Sequence, residues 1–255
     1  MTKKSYAKVN IFLKIAGKRD NYHELVSRFV RVKNLYDIVS FKKGNFKEFT
    51  LEGNFGCKTE QNTIYKAYLK LKELFPNVEE FFINHKVIVD KKIPEFAGLG
   101  GGSSNCATFM IMVNEVCDLG LCKDELSKIA VTIGADVPFF IYEYNSANVT
   151  GIGEIVKPFE EEIVNIQTFT PSIKCDTGLI FRNFRENFYK EISKENSLKL
   201  LNMKSIDIYN SMTINEANDL YQPALKSYAE LTPQNYSLPS KSYFSGSGSS
   251  FFYIT

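Results

Sequence analysis

The chain has 255 residues, of which 44% are hydrophobic and 24% charged, a composition typical of a folded globular protein rather than a disordered one. Its 31 basic and 29 acidic residues include no long block of like charge, so we expect no nucleic-acid partner. Five cysteines without a CxxC pair, no signal-peptide pattern and no apolar segment of about 20 residues predict a cytoplasmic protein that binds no membrane.

The first predicted element is a strand at residues 7–15, AKVNIFLKI. Its apolar residues recur at every second position, the period of a strand with one buried face. These residues are Val9, Ile11, Leu13 and Ile15. Lys8 and Asn10 fall between them, so their side chains would share the opposite face.

Further strands are predicted at 27–41, 46–53 and 85–93, where β-branched and aromatic residues are frequent. Residues 62–75 show a helical apolar stripe with a cap at Asn62 or Thr63. Apolar residues at 106, 110, 113 and 117 predict a second helix. A third is predicted at 123–134, capped by Asp124 and ended by Gly134, followed by a short buried strand, VPFFIY, at 137–142.

The segment NVTGIGEIVKP, residues 148–158, allows two interpretations. Its glycines mark either a domain boundary near residue 150 or a hairpin turn within one domain. Beyond it we predict a strand at 163–169, short helices between about 176 and 231, and a final strand, glycine turn and strand at 241–255. Grouped strands with interspersed helices favour an α+β protein of two domains, residues 1–150 and 151–255.

The segment PEFAGLGGGSS, residues 94–104, places four glycines and two serines at the start of the second helix. The first turn of a helix exposes unpaired N–H groups and about half a positive charge, and this one contains no carboxylate. Glycine permits positive φ and lets a ligand approach the backbone closely. The pattern therefore indicates a phosphate site, whereas its structural alternative is a flexible loop with a serine cap.

Two other phosphate motifs share features with this loop. The Walker pattern GxxxxGK[ST] is absent, because no lysine follows the glycines. GLGGGS nearly matches the dinucleotide motif GxGxxG, and Asp118 lies 20 residues after Gly98. However, KKIPEF separates the predicted strand from the glycines, and Asp118 falls at a helix end, so a dinucleotide site is the weaker interpretation.

A few polar residues elsewhere are candidates for chemistry. Asp136 precedes a very apolar segment and would need a partner, or else it caps a turn. Lys8 is a possible basic partner, although an ordinary solvated lysine fits equally. Tyr22 and His23 adjoin in a polar loop, where His23 is either a binding residue or a surface residue. With only two histidines in the chain, a histidine-based metal site is not expected, and the motif SGSGSS at 245–250 is by itself a hairpin turn.

Taken together, three motifs in chain order resemble the galactokinase, homoserine kinase, mevalonate kinase and phosphomevalonate kinase (GHMP kinase) superfamily. They are AKVNIFLKI, PEFAGLGGGSS and SGSGSS. The longer stretch AKVNIFLKIAGKRDNYHEL, with GADVPFF, NVTGIGEI and NDL at 218–220, is similar to the branch that phosphorylates a cytidylylated methylerythritol. The resemblance implies a ribosomal S5 domain 2-like N-terminal domain and a ferredoxin-like C-terminal domain.

The same resemblance implies ATP-dependent phosphorylation of the 2-hydroxyl of that cytidylylated methylerythritol, in the non-mevalonate isoprenoid route, with ATP and Mg²⁺ as cofactors. Asp136 would orient or deprotonate the hydroxyl, and Lys8 would stabilise the alkoxide. The substrate-binding residues would be Asn10, Tyr22, His23, Phe29, Ile152 and Phe181, with the Tyr22–His23 pair and the two phenylalanines at the cytosine. The ATP-binding residues would be Pro94, Gly98, Leu99, Gly100, Gly101, Gly102, Ser103, Ser104, Gly246 and Gly248.

Relatives usually continue beyond the strand that follows SGSGSS, so the resemblance implies a C-terminal domain truncated at its end. We expect a monomer or a weak homodimer. Three alternatives stay open: a kinase for another alcohol such as homoserine or mevalonate, a nicotinamide oxidoreductase suggested by GLGGGS, and an RNA-binding module suggested by the ribosomal likeness of the superfamily's N-terminal fold.

Overall fold

Helices and strands are interspersed along the computed structural model, which describes residues 1–20, 22–162 and 164–255. The strands are β1 (Thr2–Arg19), β2 (Tyr22–Lys43), β3 (Leu51–Gly53), β4 (His85–Asp90), β5 (Ser146–Gly151), β6 (Ile155–Pro158), β7 (Ile166–Phe169), β8 (Tyr243–Phe244) and β9 (Phe251–Ile254). The α+β prediction is confirmed. Asn21, in the long N-terminal motif, and Ile163, in the predicted strand 163–169, lie outside the described residues.

The helices complete this inventory. They are α1 (Thr63–Leu74), α2 (Asn77–Ile83), α3 (Gly101–Val116), α4 (Lys123–Ala130), α5 (Val137–Tyr142), α6 (Thr177–Asn183), α7 (Lys194–Asn202), α8 (Ser205–Ser211), α9 (Ile214–Ala217) and α10 (Tyr221–Ser227). Short turns of 3₁₀ and π-helix occur at Thr59–Gln61, Phe184–Phe188 and Pro233–Tyr236. No helix among the described residues has both the length and the apolar character needed to cross a membrane.

The chain forms two compact units, each assembled from three segments. The first unit is Met1–Ala7, Leu35–Ile93 and Gly101–Glu143, and the second is Lys8–Asn34, Pro94–Gly100 and Tyr144–Thr255. The predicted domains 1–150 and 151–255 stay a prediction. Both β1 and β2 contribute residues to each unit, so each is described below in two parts.

In the first unit, the C-terminal half of β2 pairs antiparallel with β4, and β3 pairs parallel with β4. Helix α1 begins where predicted, because Asn62 Oδ1 accepts the Ile64 amide at 2.9 Å, and its apolar stripe is buried. Helix α3 packs against α1 and α5 and is buried on most of its surface. Aromatic rings fill the core between these elements: Phe41, Phe49, Tyr68, Phe82 and Phe109.

In the second unit, the N-terminal half of β2 pairs antiparallel with β5. Strands β5 and β6 form an antiparallel hairpin, and the glycines of NVTGIGEIVKP lie at its turn. Strand β9 pairs with both β7 and β8, so the predicted strand, glycine turn and strand at the C-terminus are confirmed. The core lies between these strands and α6 and α10; it includes Leu13, Ile15, Ile180, Phe184, Leu220, Ala224, Leu231 and Phe251.

Three predictions are corrected by the structure. Residues 137–142 form helix α5 rather than a strand, because six consecutive apolar residues carry no period and Pro138 suits the first turn of a helix. Helix α4 begins after Cys122, not at Asp124, and ends at Ala130, before Gly134. Strand β1 has no solvent-exposed face at its centre, since Lys8, Asn10 and the apolar residues between them are all buried.

Candidate active site

The glycine loop of the second unit, residues 94–100, lies against the turn between β8 and β9. Gly98 has a φ of +72°, and a Cβ there would lie 2.0 Å from the Ser245 carbonyl oxygen. Ser245 Oγ donates to the Gly98 carbonyl oxygen at 2.9 Å, and the Ser250 amide donates to that of Ala97 at 3.1 Å. The two glycine motifs predicted for ATP therefore meet backbone to backbone, and only glycine fits at position 98.

The turn itself is held by Asn218, which belongs to the NDL motif. Its Nδ2 donates to the carbonyl oxygens of Phe244 and Gly246, at 2.9 Å each. The neighbouring Asp219 accepts the Ile15 amide at 2.9 Å, which joins the motif to β1. The motif therefore fixes the glycine turn relative to the strand that contributes Lys8 and Asn10 to the same unit.

In the first unit, α3 begins at Gly101, and its first turn contains no acidic residue. Gly102 is exposed, and its carbonyl oxygen accepts Thr63 Oγ1 at 2.8 Å. Ser103 is half-buried, whereas Ser104 is buried. The backbone amides of a first helical turn have no partner within the helix, so this end of α3 favours binding of an anion.

Lys8 and Asn10 form a buried polar row on β1 of the second unit. Lys8 is 3% exposed; its Nζ donates to Asn10 Oδ1 at 2.7 Å and lies 4.5 Å from the Phe29 ring centroid. Asn10 Nδ2 donates to Ser27 Oγ at 2.9 Å. The predicted common face of Lys8 and Asn10 is confirmed, and Phe29, predicted to bind cytosine, contacts the ammonium group.

Asp136 belongs to the first unit and occupies the position just before α5. Its side chain accepts no hydrogen bond from the described amides of the first turn of α5, so it does not act as a helix cap. The carboxylate is half-buried. A functional role for this residue, and its pairing with Lys8 of the second unit, stay predictions.

His23 lies in an aromatic cluster of the second unit. Its ring stacks on Phe181, with centroids 5.3 Å apart and planes at 20°, and meets the edge of Phe184 at 5.6 Å. The Tyr189 ring is 6.3 Å away. His23 is 8% exposed, so the surface interpretation of this histidine is wrong. Burial lowers its pKa below the usual value, and the positive charges of Arg185 and Lys18 lower it further.

The Nε2 atom of His23 is buried, and no described residue supplies it with a hydrogen-bond partner. A buried polar atom of this kind is uncommon in native structures, and a ligand is one usual explanation. Tyr22, the residue before His23 on β2, is 62% exposed. Ile152 lies in the turn between β5 and β6, where its amide donates to Glu154 Oε2 at 2.6 Å.

The sequence reasoning missed several residues around these sites. Phe184 and Tyr189 join the cluster at His23; the spacing of Phe181 and Phe184, three residues apart on one helix face, was a usable signal. Asp37 of the first unit is 0% exposed and bonds to Lys91. An aspartate inside an apolar strand pattern requires a partner, and that signal was also available.

Arg28 is a fourth missed residue, on β2 between Ser27 and Phe29. It is fully buried, donates to Asn148 Oδ1 at 2.7 Å, and lies 3.5 Å from a Glu161 oxygen. Burial lowers the pKa of Arg28 to about 10, although Glu161 opposes the shift. The guanidinium group anchors this part of β2 and is too enclosed to bind phosphate.

Comparison with known proteins identifies relatives over almost the whole chain. Residues 62–144 match the family described as GHMP kinases N terminal domain. A 4-diphosphocytidyl-2-C-methyl-D-erythritol kinase of Sulfurimonas denitrificans is 52% identical, covering 98% of this chain and 96% of the relative. Proteins with the same name from a Sulfurovum species and Campylobacter jejuni are 46% and 38% identical, each covering 98% of this chain and 97% and 99% of the relative.

Solved structures give the same result for the fold. A crystal structure of 4-(cytidine 5'-diphospho)-2C-methyl-D-erythritol kinase matches with a TM-score of 0.74 and 28% identity, covering 100% of this chain and 90% of that one. The mevalonate kinase of Methanococcus jannaschii matches with a TM-score of 0.64 and 13% identity, covering 100% and 90%. A match at 13% identity shows only that the two proteins share a fold. The predicted GHMP kinase fold is confirmed.

Proposed function

Because the chain belongs to the 4-diphosphocytidyl-2-C-methyl-D-erythritol kinase family, we propose that it phosphorylates the 2-hydroxyl of that cytidylylated alcohol. The phosphoryl donor would be ATP and the products ADP and the 2-phosphate, in the non-mevalonate isoprenoid route. The observation that carries the proposal is 52% identity, over nearly the full chain, to a relative with that name.

The ATP phosphates would bind at two places that adjoin in the sequence. In the second unit, residues 94–100 and the turn at Gly246 and Gly248 form a backbone surface with little side-chain bulk. In the first unit, the first turn of α3 presents amides and no carboxylate. Transfer of a phosphoryl group has a loose transition state, so positioning and charge neutralisation would supply most of the rate.

Lys8 and Asp136 would act on the substrate hydroxyl. Lys8 is held by Asn10 and the Phe29 ring, which supports the proposal that its ammonium group would stabilise a developing alkoxide with little reorganisation. Asp136, half-buried just before α5, would orient the substrate hydroxyl or accept its proton. Asn10 would bind the erythritol or its phosphate.

The cytosine would bind at His23. The stacked ring of Phe181 and the buried Nε2 atom provide what a planar heterocycle needs, an aromatic surface and a hydrogen-bonding atom. Tyr22 would cover the base from the exposed side, and Ile152 would form an apolar wall. Because the His23 pKa is lowered, the imidazole would be neutral at pH 7 and would present one donor and one acceptor nitrogen.

Mg²⁺ would accompany the nucleotide. The described residues contain no group of three or more His, Cys, Asp or Glu side chains suited to a metal, and Mg²⁺ bound through substrate phosphates needs only one or two protein ligands. The hydroxyl of Ser103, half-buried in the first turn of α3, would supply one oxygen ligand beside the phosphates. The ion would neutralise charge on the phosphate oxygens.

The remaining expectations concern the cellular setting. The chain would act in the cytoplasm, where cysteine thiols stay reduced; none of its five cysteines forms a disulfide. A monomer or a weak homodimer stays a prediction.

The test is direct. The purified protein is mixed with ATP, Mg²⁺ and 4-diphosphocytidyl-2-C-methyl-D-erythritol, and ADP is quantified by chromatography while phosphorus NMR identifies the new phosphomonoester. Homoserine and mevalonate serve as alternative acceptors. We expect ADP and product in equal amounts with the cytidylylated alcohol alone; turnover of another alcohol at an equal rate, or no ADP above background, would contradict the proposal.

A further inference from the structure

Asp37 is a buried carboxylate that the proposed reaction does not use. It lies on β2 in the first unit, and four donors converge on it. Its Oδ1 accepts the amides of Lys92 and Ile93, at 2.6 and 2.8 Å. Its Oδ2 accepts Lys91 Nζ at 2.5 Å and Asn105 Nδ2 at 2.9 Å.

These bonds connect the segment before the glycine loop with the start of α3. Asn105, the fifth residue of α3, also accepts Lys91 Nζ at 3.0 Å through Oδ1 and donates to Ser5 Oγ at 2.9 Å. Ser5 in turn donates to Ser104 Oγ at 2.8 Å. We call this set, Ser5, Asp37, Lys91, Ser104 and Asn105, the Asp37 network; its carboxylate and its ammonium group are nearly inaccessible to water.

We infer that Asp37 is a positioning residue for phosphate transfer, acting through Asn105 and the backbone at 92–93. This inference rests on the proposed function. The amides of the first turn of α3 can stabilise phosphate only if their direction is fixed before ATP binds, and Asn105 fixes that turn from inside the protein. Lys91 neutralises the carboxylate, so the network adds no net negative charge beside an anion site.

Exchanging the side chains of Asp37 and Asn105 tests the inference. Asp37→Asn keeps one oxygen for the two backbone amides but turns an NH₂ group towards the donors of Lys91 and Asn105. Asn105→Asp replaces the amide that lies 2.9 Å from the Asp37 carboxylate with a second carboxylate. The double variant restores one carboxylate, one amide and the ammonium partner, because Lys91 Nζ is already 3.0 Å from the oxygen at position 105.

We expect each single variant to lower kcat/KM for ATP by about 10-fold or more, because small displacements of positioned groups are costly to rate. The double variant should return to within about 3-fold of the wild type, since the two residues are coupled directly. The KM for the cytidylylated alcohol should change by less than about 2-fold in all three. If the role of Asp37 were purely structural, the variants would lower the melting temperature without affecting ATP more than the cytidylylated alcohol.

A second pair of variants covers the case in which a single exchange does not fold. Asn105→Ala keeps the Asp37–Lys91 ion pair, and its matched control is Asn114→Ala. Asn114 lies in the same helix and exchanges two hydrogen bonds with Leu121, at 2.9 and 3.0 Å. We expect Asn105→Ala to raise the KM for ATP and Asn114→Ala to leave it unchanged, even if both lower the melting temperature.

The possible failures are distinguishable. If the wild type produces no ADP from the cytidylylated alcohol, the proposed function fails. If the wild type is active but the single exchanges leave kcat/KM for ATP unchanged, or the double variant is no better than the worse single variant, the inference is wrong. Equal effects of Asn105→Ala and Asn114→Ala on the KM for ATP would also overturn it.

Discussion

Lys8 and His23 are both buried polar side chains of the second unit, but their surroundings differ. Lys8 has Asn10 and the Phe29 ring around its ammonium group, and Asn10 is held in turn by Ser27. His23 is enclosed by rings, and its Nε2 has no partner among the described residues. This difference is in keeping with the roles proposed above, in which Lys8 would stabilise a developing charge and His23 would recognise the substrate.

The largest effect should come from removing the prearranged charge. Lys8→Met should lower kcat by at least about 100-fold while the protein stays folded, because a methionine fills the space but cannot neutralise an alkoxide. The same loss is expected for Asp136→Asn. Steady-state kinetics and circular dichroism measure both effects. Lys3→Met is the control, because Lys3 is a half-buried lysine of β1 paired with Glu115. An unchanged kcat would remove either residue from the mechanism.

A substitution in the glycine loop should disturb the surroundings of Lys8 and leave those of His23 unchanged. The Lys8 amide donates to the Leu99 carbonyl oxygen at 3.0 Å, next to Gly98. Gly98→Ala should destabilise the fold by about 3 kcal/mol, combining the cost of positive φ with that of overpacking. In the fraction of the variant protein that stays folded, the affinity for ATP should fall while the affinity for cytidine diphosphate is unchanged.

Gly120→Ala is the matched control for that variant. Gly120 also has positive φ, +66°, but a Cβ there meets nothing within 4 Å. It should lose only about 1–2 kcal/mol, the cost of the backbone conformation. Urea denaturation measures both variants. Equal losses would show that the contact with Ser245 does not restrict position 98.

Changes at His23 should affect only substrate recognition. His23→Ala removes both the stacked ring and Nε2, and we expect it to raise the KM for the cytidylylated alcohol by about 10-fold, with the KM for ATP unchanged. His23→Phe keeps a ring and isolates the contribution of the nitrogen. His85→Ala, the other histidine, stacked on Phe81, is the control. A change confined to the KM for ATP would contradict the assignment.

The smallest effect is on the pH dependence of stability. The pKa of His23 is lowered in the folded protein and returns to about 6.5 on unfolding. As the pH falls through this value, the unfolded chain takes up a proton that the folded chain does not, so the free energy of unfolding falls until the folded pKa is passed. Denaturation measured at about pH 7.5 and about pH 5.5 gives the free energy of unfolding at each pH. This free energy should fall less between the two pH values for His23→Phe than for the wild type, and identical falls would contradict the prediction.

Much of the local structure could be predicted because its cause is local. Asn62 caps α1, the period of β1 places Lys8 and Asn10 on one face, and SGSGSS joins two short strands. Residues 137–142 were misassigned because their apolar run suits a buried strand or a buried helix equally. Packing against α3 and α4 resolves that ambiguity, and it depends on distant residues.

The candidate site was predictable as a set of residue types but not as a set of contacts. The glycine loop could be recognised from bare amides before a helix, yet its contact with Ser245 depends on a turn near the other end of the chain. The rings around His23 come from a segment more than 150 residues later. The strand pattern around Asp37 indicates that its carboxylate needs partners, but it does not say which four donors they are.

The hydrogen bond from Ser245 to Gly98 spans 147 positions of the chain, and this separation has a consequence during synthesis. A ribosome adding about 5–20 residues per second needs roughly 7–30 s to travel from one partner to the other. Throughout that interval the nascent loop lacks the turn against which it packs. Nucleotide binding at this loop would thus become possible only after Ser245 has been added, so nascent chains that still lack this turn would not compete with the folded enzyme for cellular ATP.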